Sequence, residues 1–428
     1  MFRSPVLDDI RSNIHTKPIP WKGLNRAKIV TEDEGQSFET LGKLGSAERQ
    51  ERVRADAEKY ADLVVQLLSR EIRDDLFKYL LLFVVEYGES VPEFAQALAA
   101  KTKSFPLFNS FFEYNDEQIT VLTALSISVQ ATSGTLAPLD VIESLYRFTI
   151  QHLLLTSSNN VNYKDLGAQI LDVLLQDQNY RTAFHQYEHE AIPAVLALVA
   201  SAPLQIQYTS LLVLWILSFD KQSAVAFTTE YNVVSVVLDT AKSALKEKIV
   251  RLSLAILSNI VRFARKQAIP VLIAEGALST TNLLSARKWN DEELVADLTF
   301  VKNELTQAYD SMTTFEEYEA ELKTSKLRWT PVHRNKAFWI ENIQHFKDHD
   351  WTVLKDVLQL LEKSDDSVTL AVACHDIAAI VGQDSDASEV ITKVGGKVRL
   401  MQLIANPDTE VRYEALKATQ KMLAHIFA

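Results

Sequence analysis

Apolar residues recur along the chain every three to four positions, in segments that short polar turns separate. The pattern is clearest over residues 191–219, which carry no charge. A membrane-spanning helix needs about 20 apolar residues. However, Pro203 divides this stretch, and Gln205 and Gln207 at its middle would leave amide groups unpaired in a bilayer. The pattern therefore predicts two buried helices joined by a turn, around residues 192–199 and 208–219.

Two pairs of segments superpose without gaps, each at an offset of about one helical hairpin. Residues 366–373 (DSVTLAVA) match residues 409–416 (TEVRYEAL) 43 positions later, and residues 208–219 match residues 250–261 at 42 positions. HEAT and armadillo repeats have periods of about 40 to 47 residues. The sequence therefore predicts an all-α fold, a HEAT/armadillo-like helical-repeat superhelix (α-solenoid), in which each hairpin buries its apolar stripe on its neighbour.

The apolar period stops at one place, residues 323–335, a polar stretch that follows a helix-capping pattern at Thr314 to Glu317. A proline inside this stretch favours extended geometry at the residue before it. We therefore predict two domains. An N-terminal armadillo/HEAT-like solenoid domain covers residues 1–322 and begins with a partly irregular segment. A linker or hinge covers residues 323–335, and a C-terminal helical-repeat domain covers residues 336–428.

Composition narrows the class of protein. Glycine and proline contribute 11 residues each to a chain of 428, which is less than half of the usual share of about 12% and favours an all-α chain. The net charge of −12 does not supply the clustered basic residues that nucleic acid needs, so we predict no nucleic-acid partner. A single cysteine and a polar N-terminal stretch without a signal-peptide pattern indicate a cytosolic protein.

Three short motifs could carry chemistry, and none has the partners it requires. His185 and His189 fit the H-x-x-E-H spacing of a zinc metallopeptidase, but the sequence offers no third ligand. Cys374 precedes His375 and Asp376, yet consecutive helical residues diverge by about 100° and cannot form a triad. We therefore predict a core thiol at Cys374, no catalytic residue, no metal and no cofactor. The metallopeptidase remains an alternative.

The remaining motif lies in residues 395–397 (GGK), where the pattern of a phosphate-binding loop is incomplete and a turn before a helix is predicted. A second alternative function comes from Trp215 and Asn259, which suggest the Trp and Asn ladder of an importin-type peptide groove. Neither repeat has both residues, because Phe219 and Ala255 occupy the two complementary positions. A solenoid peptide-binding adaptor is therefore kept as the competing hypothesis.

Four segments near the end of the chain resemble one known family in both order and spacing. They are residues 327–333 (LRWTPVH), 338–342 (FWIEN), 371–377 (AVACHDI) and 411–420 (VRYEALKATQ). These segments resemble the H subunit of the vacuolar-type proton-pumping ATPase (V-ATPase), and residues 207–219 and 247–259 agree more loosely. The resemblance extends over nearly the whole chain.

The resemblance implies a non-catalytic regulatory subunit of the cytosolic V1 sector, in which partner subunits carry the ATPase sites. It implies that the N-terminal domain docks on the peripheral stalk, formed by the E and G subunits. It also implies that the C-terminal domain contacts the static arm of the membrane sector's a subunit in the working pump. In the detached sector this domain would contact the central rotor and inhibit ATP hydrolysis. The expected location is the cytoplasmic side of the vacuolar or other endomembranes, with membrane association only through the complex.

The resemblance also suggests which residues act. The family's inhibitory loop corresponds to a short turn at residues 362–367, for which a solvated helix connection is the alternative interpretation. The candidate inhibitory contacts are Glu362, Lys363, Asp365 and Asp366. The candidate hinge residues are Arg328, Trp329 and Pro331.

Overall fold

The computed structural model describes residues 2–156 and 160–424, and every regular element among them is a helix. Short 3-10 helices lie at Phe111–Glu113 and His185–Tyr187, and a π-helix lies at Thr149–Leu154. The helices that begin before residue 300 are α1 Pro5–His15, α2 Trp21–Arg26, α3 Glu32–Gly42, α4 Ser46–Ala55, α5 Ala57–Leu68, α6 Asp74–Ser90, α7 Pro92–Ala99, α8 Ser104–Ser110, α9 Glu117–Ala131, α10 Leu139–Phe148, α11 Val161–Leu174, α12 Gln178–Phe184, α13 Glu188–Ser201, α14 Leu204–Leu217, α15 Lys221–Thr229, α16 Val233–Ser243, α17 Glu247–Ala274, α18 Ala277–Ser285 and α19 Glu292–Ser311. The later helices are α20 Phe315–Lys323, α21 Pro331–Arg334, α22 Lys336–Lys363, α23 Ser367–Gln383, α24 Asp386–Lys393, α25 Gly396–Leu403 and α26 Thr409–Ala424.

The helices group into two compact units, each with its own core. Unit 1 consists of Met1–Val271 and Ser279–Val301, and unit 2 consists of Leu272–Leu278 and Lys302–Ala428. In both units, successive helices bury apolar faces against one another, as stacked helical hairpins do. This architecture confirms the predicted all-α helical-repeat fold in two domains.

In unit 1, the uncharged stretch forms two buried helices, as predicted. They are α13 and α14, and Ala202 and Pro203 form the turn between them. The predicted repeat partner of α14 is α17, and the two helices touch. The Asn259 side-chain Nδ2 donates a buried hydrogen bond of 2.9 Å to Ser218 Oγ. The segments that match at an offset of 42 residues are therefore neighbours in the stack.

Several helices are strongly apolar, but no single helix among the described residues is both long enough and apolar enough to cross a bilayer. Two helix pairs reach the required length and composition together. The pair α14 and α15 is bent by 117°, and the pair α17 and α18 is bent by 81°.

In unit 2, α23 is the central helix, and α22 and α26 pack against it. The helices of the two matching segments, α23 and α26, both have a side-chain cap at the N-terminus. The Asp366 side chain accepts from the Thr369 N–H at the start of α23, and the Asp408 side chain accepts from Glu410 and Val411 N–H at the start of α26. Because α23 and α26 share one core, the 43-residue offset also corresponds to neighbouring hairpins.

Helix α22 is broken near its middle by a left-handed turn. His349, Asp350 and Trp351 have φ of 51°, 59° and 62°, although none of them is glycine. Each such residue costs roughly 1 to 2 kcal/mol relative to the right-handed helix. The burial of Trp351, only 7% exposed, and an ion pair of 2.6 Å between Lys347 Nζ and Asp384 Oδ2 hold the turn in place.

The residues that connect α20 to α22 belong to the core of unit 2. Leu327, Val332 and His333 are buried, with exposed fractions of 1% or less, and Tyr318 of α20 is buried beside them. Residues 323–335 are mostly polar, but the apolar side chains among them point into the core of unit 2.

Candidate regulatory site

The candidate inhibitory residues lie at one connection of unit 2, between α22 and α23. Glu362 and Lys363 end α22, Asp365 lies in the turn, and Asp366 is the N-cap of α23. All four side chains are exposed. The Glu362 carboxylate lies 3.8 Å from Arg399 Nε, a long ion pair that leaves most of its surface open to solvent. The turn thus presents three acidic groups and one basic group.

Asp366 differs from its neighbours because one oxygen of its carboxylate accepts three hydrogen bonds. Its Oδ2 accepts from the Thr369 hydroxyl, from the Thr369 N–H at 2.9 Å and from Arg328 Nη1 at 2.6 Å. These bonds to Thr369, together with the Arg328 guanidinium, lower the pKa of Asp366 to about 2. Asp366 is therefore charged at all physiological pH values, and it connects the predicted turn to the predicted hinge.

The candidate hinge residues are held by the same network. Glu321 of α20 accepts from the Arg328 N–H at 2.7 Å and from the Thr330 hydroxyl at 2.7 Å. Pro331 occupies the first turn of α21, where its missing N–H costs nothing. The Trp329 ring packs edge-on against His375, with 5.2 Å between ring centroids. Arg328 and Trp329 are thus in contact with the core of unit 2.

Beneath these residues lies a buried ionic network that was not predicted from the sequence. The imidazole of His333 is completely buried between two carboxylates. His333 Nδ1 is 2.9 Å from both oxygens of Asp376, and Nε2 is 3.3 Å from Glu321 Oε2. The Tyr318 hydroxyl donates to Asp376 Oδ2 at 3.1 Å. The network joins α20, α21 and α23.

Electrostatics keep this network ionised. Burial by itself would lower the pKa of His333, but the Asp376 and Glu321 carboxylates outweigh burial and raise it to about 9. Burial would likewise raise the pKa of Asp376, and the charged His333 lowers it instead. A doubly protonated imidazole can donate to both carboxylates at once, so the charged form fits this geometry.

A signal for this network exists in the sequence. His333 and Asp376 are 43 positions apart, which equals the offset between the matching segments near the end of the chain. Each residue lies in one of the segments that carry the family resemblance. In the sequence, Asp376 stands out only because it follows Cys374 and His375 in a possible catalytic triad. A search for complementary charges at one repeat period would have paired it with His333.

A cavity of about 350 Å³ opens beside the turn, between α20 and the second half of α22. Lys323 and Glu319 line it from α20, and Asp356 and Lys363 line it from α22. Its walls are mixed in charge and partly apolar. No group of three or more His, Cys, Asp or Glu side chains suited to a metal ion occurs in the described part of the chain.

The other sequence motifs have structural partners of their own. His185 lies 3.0 Å from Glu188 Oε1, whereas His189 is largely exposed beside Glu190, so the two histidines do not face one point. Cys374 is completely buried, and burial raises the pKa of its thiol to about 12, which confirms the core thiol. Gly395, with a φ of 81°, forms the predicted turn before α25.

The peptide-groove alternative depends on the amide of Asn259. This side chain is 8% exposed and donates to Ser218, so it is not free to bind a peptide backbone. Trp215 packs edge-on against Phe219 with 5.2 Å between ring centroids. The Trp and Asn ladder is therefore not formed at these positions.

Two family models match the chain and together cover nearly all of it. Both describe the H subunit of the V-ATPase; the N-terminal model matches residues 5–305 and the C-terminal model matches residues 311–427. Among solved structures, an engineered protein superposes with a TM-score of 0.52 and 17% identity, and the match covers 96% of this chain and 100% of the engineered one. That likeness concerns the fold alone.

Curated relatives agree with the family models. The V-type proton ATPase H subunit of Dictyostelium discoideum is 27% identical over 95% of this chain and 92% of its own length. The H subunit of Drosophila melanogaster is 25% identical over 98% of this chain and 90% of its own length. A probable H subunit of Caenorhabditis elegans is 27% identical over 95% of this chain and 88% of its own length. The resemblance of the sequence is thereby confirmed, and the chain belongs to the family of V-ATPase H subunits, with both of the family's domains present.

Proposed function

We propose that this chain is a non-catalytic regulatory subunit of the V-ATPase. It bridges the peripheral stalk of the cytosolic V1 sector to the membrane Vo sector and inhibits ATP hydrolysis by detached V1. The observation that supports this proposal is the match of both domains to the family models of the H subunit. On this proposal, unit 1 binds the E and G subunits of the stalk. Unit 2 binds the static arm of the membrane sector's a subunit or, in the inhibited state, the central rotor. The complex lies on the cytoplasmic side of endomembranes.

Within unit 2, we assign the inhibitory contact to Glu362, Lys363 and Asp365. Their side chains are exposed, and each can form ion pairs with a partner without first breaking a strong internal bond. Asp366 has a different role, because its carboxylate already accepts hydrogen bonds from Arg328 and Thr369. We propose that Asp366 holds the turn in position, while the three preceding charged groups make the contact.

The test uses detached V1 sectors depleted of their own H subunit and supplied with the full-length chain. The wild-type chain is expected to suppress ATP hydrolysis. The triple variant Glu362→Ala, Lys363→Ala, Asp365→Ala is expected to lose most of that suppression while it still co-purifies with the stalk subunits. ATP turnover and pull-down with the E and G subunits are the two measurements.

A matched control removes the exposed i, i+4 pair of α24 through Glu389→Ala and Lys393→Ala. Both side chains are 77% exposed and are paired at 3.6 Å. This control is expected to inhibit like the wild type. Full suppression by the triple variant would contradict the assignment of the turn. Failure of the wild-type chain to bind stalk subunits, or to suppress hydrolysis, would contradict the proposed function itself.

The position of the joint between the two domains is a separate proposal. A bend at Arg328 to Pro331 would break the ion pair with Asp366 and the two bonds to Glu321, and it would expose Leu327. The two family models meet between residues 305 and 311, ahead of all these contacts. We therefore propose that the chain flexes ahead of Thr314, and that the 323–335 segment moves with unit 2.

Limited proteolysis distinguishes this joint from the predicted linker at residues 323–335. Cleavage after Asp310 by a protease specific for acidic residues is expected to be faster than tryptic cleavage after Lys326 or Arg328. Mass spectrometry of the first fragments identifies the sites. Rapid cleavage at Lys326 or Arg328 instead would place the flexible joint in the 323–335 linker.

A further inference from the structure

The last hairpin of unit 2, α25 and α26, buries one apolar stripe and exposes a second one. On α26 the buried stripe consists of Val411, Ala415, Ala418 and Met422, all at most 2% exposed. The exposed stripe consists of Tyr413 at 64%, Leu416 at 44%, Gln420 and Leu423 at 39%. The members of the second stripe lie three and four positions apart, about 160° around the helix from the first. Helix α26 therefore carries two apolar stripes, one buried in the core and one exposed to solvent.

Helix α25 repeats this arrangement. Gly396, Leu400 and Leu403 face the core, whereas Val398 is 61% exposed and Met401 is 56% exposed on the opposite side. Val394, directly before the helix, is 54% exposed and continues the same line. The solvent-facing side of a helix in a globular protein is normally polar. The exposed side of α25 and α26 carries apolar residues instead.

The charge of this hairpin differs from that of the whole chain. Residues 393–424 carry six Lys and Arg against three Asp and Glu, although the chain has a net charge of −12. The guanidinium of Arg412 is bound to the carbonyls of Asn406 and Pro407. Lys397 forms no ion pair with any residue among 2–156 and 160–424, and by helical position it flanks the exposed stripe of α25. On α26, Lys417 pairs with Glu414, and its Nζ lies 5.9 Å from the centroid of the exposed Tyr413 ring. A lysine therefore borders the apolar surface on each helix.

The spacing on α26 identifies the shape of the partner. Tyr413, Leu416, Gln420 and Leu423 fall at successive a and d positions of a heptad, the pattern by which one helix packs along another. A single polar residue within such a seam, here Gln420, fixes the register of the partner. A lipid surface needs no such register, and a second copy of this chain would bring the same cations face to face.

We propose that the outer face of α25 and α26 binds an amphipathic helix of another protein, whose apolar stripe is flanked by acidic residues. The bound helix would stack on this hairpin as one more helical layer. This surface is recognised by its stripes and the lysines that border them, independently of the proposed function. It is also distinct from the turn at residues 362–366.

Two synthetic probes test the chemistry of the partner. Both are fluorescein-labelled peptides of three heptads with Leu at a and d; one has Glu at e and g, the other Lys. Fluorescence anisotropy with the full-length chain is expected to show binding of the Glu peptide, with at least about tenfold weaker binding of the Lys peptide. Equal affinity for the two peptides, or no binding of either, would overturn the proposal.

Variants of exposed residues locate the binding surface. Leu416→Glu and Val398→Glu are each expected to weaken binding of the Glu peptide about tenfold or more. The matched control Leu245→Glu changes a leucine that is 95% exposed in unit 1, and it is expected to have no effect. The double variant Lys397→Glu, Lys417→Glu is expected to reverse the preference in favour of the Lys peptide. An equal loss in the Leu245→Glu control would also overturn the proposal.

Two further measurements decide between occupants. Vesicles of phosphatidylserine and phosphatidylcholine are expected not to co-sediment with the chain, and sedimentation velocity is expected to show a monomer at micromolar concentration. Vesicle binding that Leu416→Glu abolishes would assign the face to a membrane instead. A dimer that Leu416→Glu dissociates would assign it to a second copy.

Discussion

The central helices of the two units, α9 in unit 1 and α23 in unit 2, both bury polar side chains, but the two helices bury different kinds of polar group. Both are surrounded by other helices. In α9 these groups are neutral. Ser128 Oγ donates to the Ala124 carbonyl of the same helix at 2.7 Å, whereas Ser126 Oγ donates to the Leu81 carbonyl of α6 at 3.4 Å and Gln130 Oε1 accepts from Ser104 Oγ of α8. In α23 the buried group is the Asp376 carboxylate, and its partners come from other segments of unit 2.

The comparison shows that buried polar groups differ in how strongly they fix the position of neighbouring helices. A hydroxyl bonded within its own helix satisfies itself and specifies little about its neighbours. A buried carboxylate needs a cation and further donors, so it fixes the segments that supply them. In unit 2, Tyr318 and His333 supply these groups to Asp376, and Glu321 accepts from the other side of the His333 ring. The ionic network thus determines how the 318–333 region attaches to α23.

The largest expected effect comes from removing the cation. His333→Leu leaves the Asp376 carboxylate completely buried without its main cation and removes one partner of the half-buried Glu321. We expect it to lower the free energy of unfolding of unit 2 by about 3 to 5 kcal/mol. Native-state hydrogen exchange of α23 amides measures this loss. The matched change in unit 1, Ser128→Ala, is expected to lower protection of α9 by at most about 1 kcal/mol. Equal losses in the two helices would remove the distinction between the two cores.

The second prediction is a pH dependence confined to unit 2. The pKa of His333 is raised from 6.5 to about 9 in the folded chain. Its contribution to stability is therefore complete below about pH 6.5 and declines as the pH rises to 9, by up to about 3 kcal/mol. The pKa values of Asp376 and Glu321 are lowered. Their contribution is therefore present above the unfolded pKa of about 4 and is lost in more acidic solution.

Hydrogen exchange at several pH values, corrected for the intrinsic rate, measures this dependence. Amides of α23 are expected to lose protection between pH 6.5 and 9, and the loss is expected to disappear in His333→Leu. Amides of α9 are expected to change little over the same range. Constant protection of α23 up to pH 9 would mean that His333 is not charged in the folded chain.

A smaller effect is expected where the network reaches the surface. Asp366→Ala removes the N-cap of α23 and the partner of Arg328, and we expect it to cost about 1 to 2 kcal/mol. The neighbouring Asp365→Ala is expected to change stability by less than about 0.5 kcal/mol. Urea denaturation of both variants gives the comparison. Equal stability of the two would show that the cap and the ion pair contribute nothing measurable.

The smallest prediction concerns the backbone of unit 2. Because His349 has a φ of 51° in the left-handed turn, His349→Gly is expected to stabilise the chain by about 1 kcal/mol. Gln344→Gly lies in the right-handed part of the same helix and is expected to destabilise it by about 1 kcal/mol. Thermal unfolding of the pair measures the difference in sign. Destabilisation by both changes would argue against the left-handed turn.

The sequence predicted the helices and the repeat offsets, because apolar periodicity and turn signals act over a few residues, and it indicated the family through the resemblance of four segments. The two helices divided at Pro203 and the turn at Gly395 are examples. It did not predict the His333 and Asp376 pair, because partners 43 positions apart become neighbours only through the stacking of hairpins. The left-handed turn at His349 also escaped prediction. No glycine marks it, and the contacts that hold Trp351 are tertiary.

The burial of Asp376 has a practical consequence for dissecting the molecule. A recombinant fragment that starts at Lys336, the beginning of α22, would omit Tyr318, Glu321 and His333 together. Its Asp376 would then face a hydrophobic interior with only the adjacent His375 to offset its charge. Such a fragment would be unsuitable for crystallisation or binding assays, whereas one that begins before α20 retains every member of the ionic cluster.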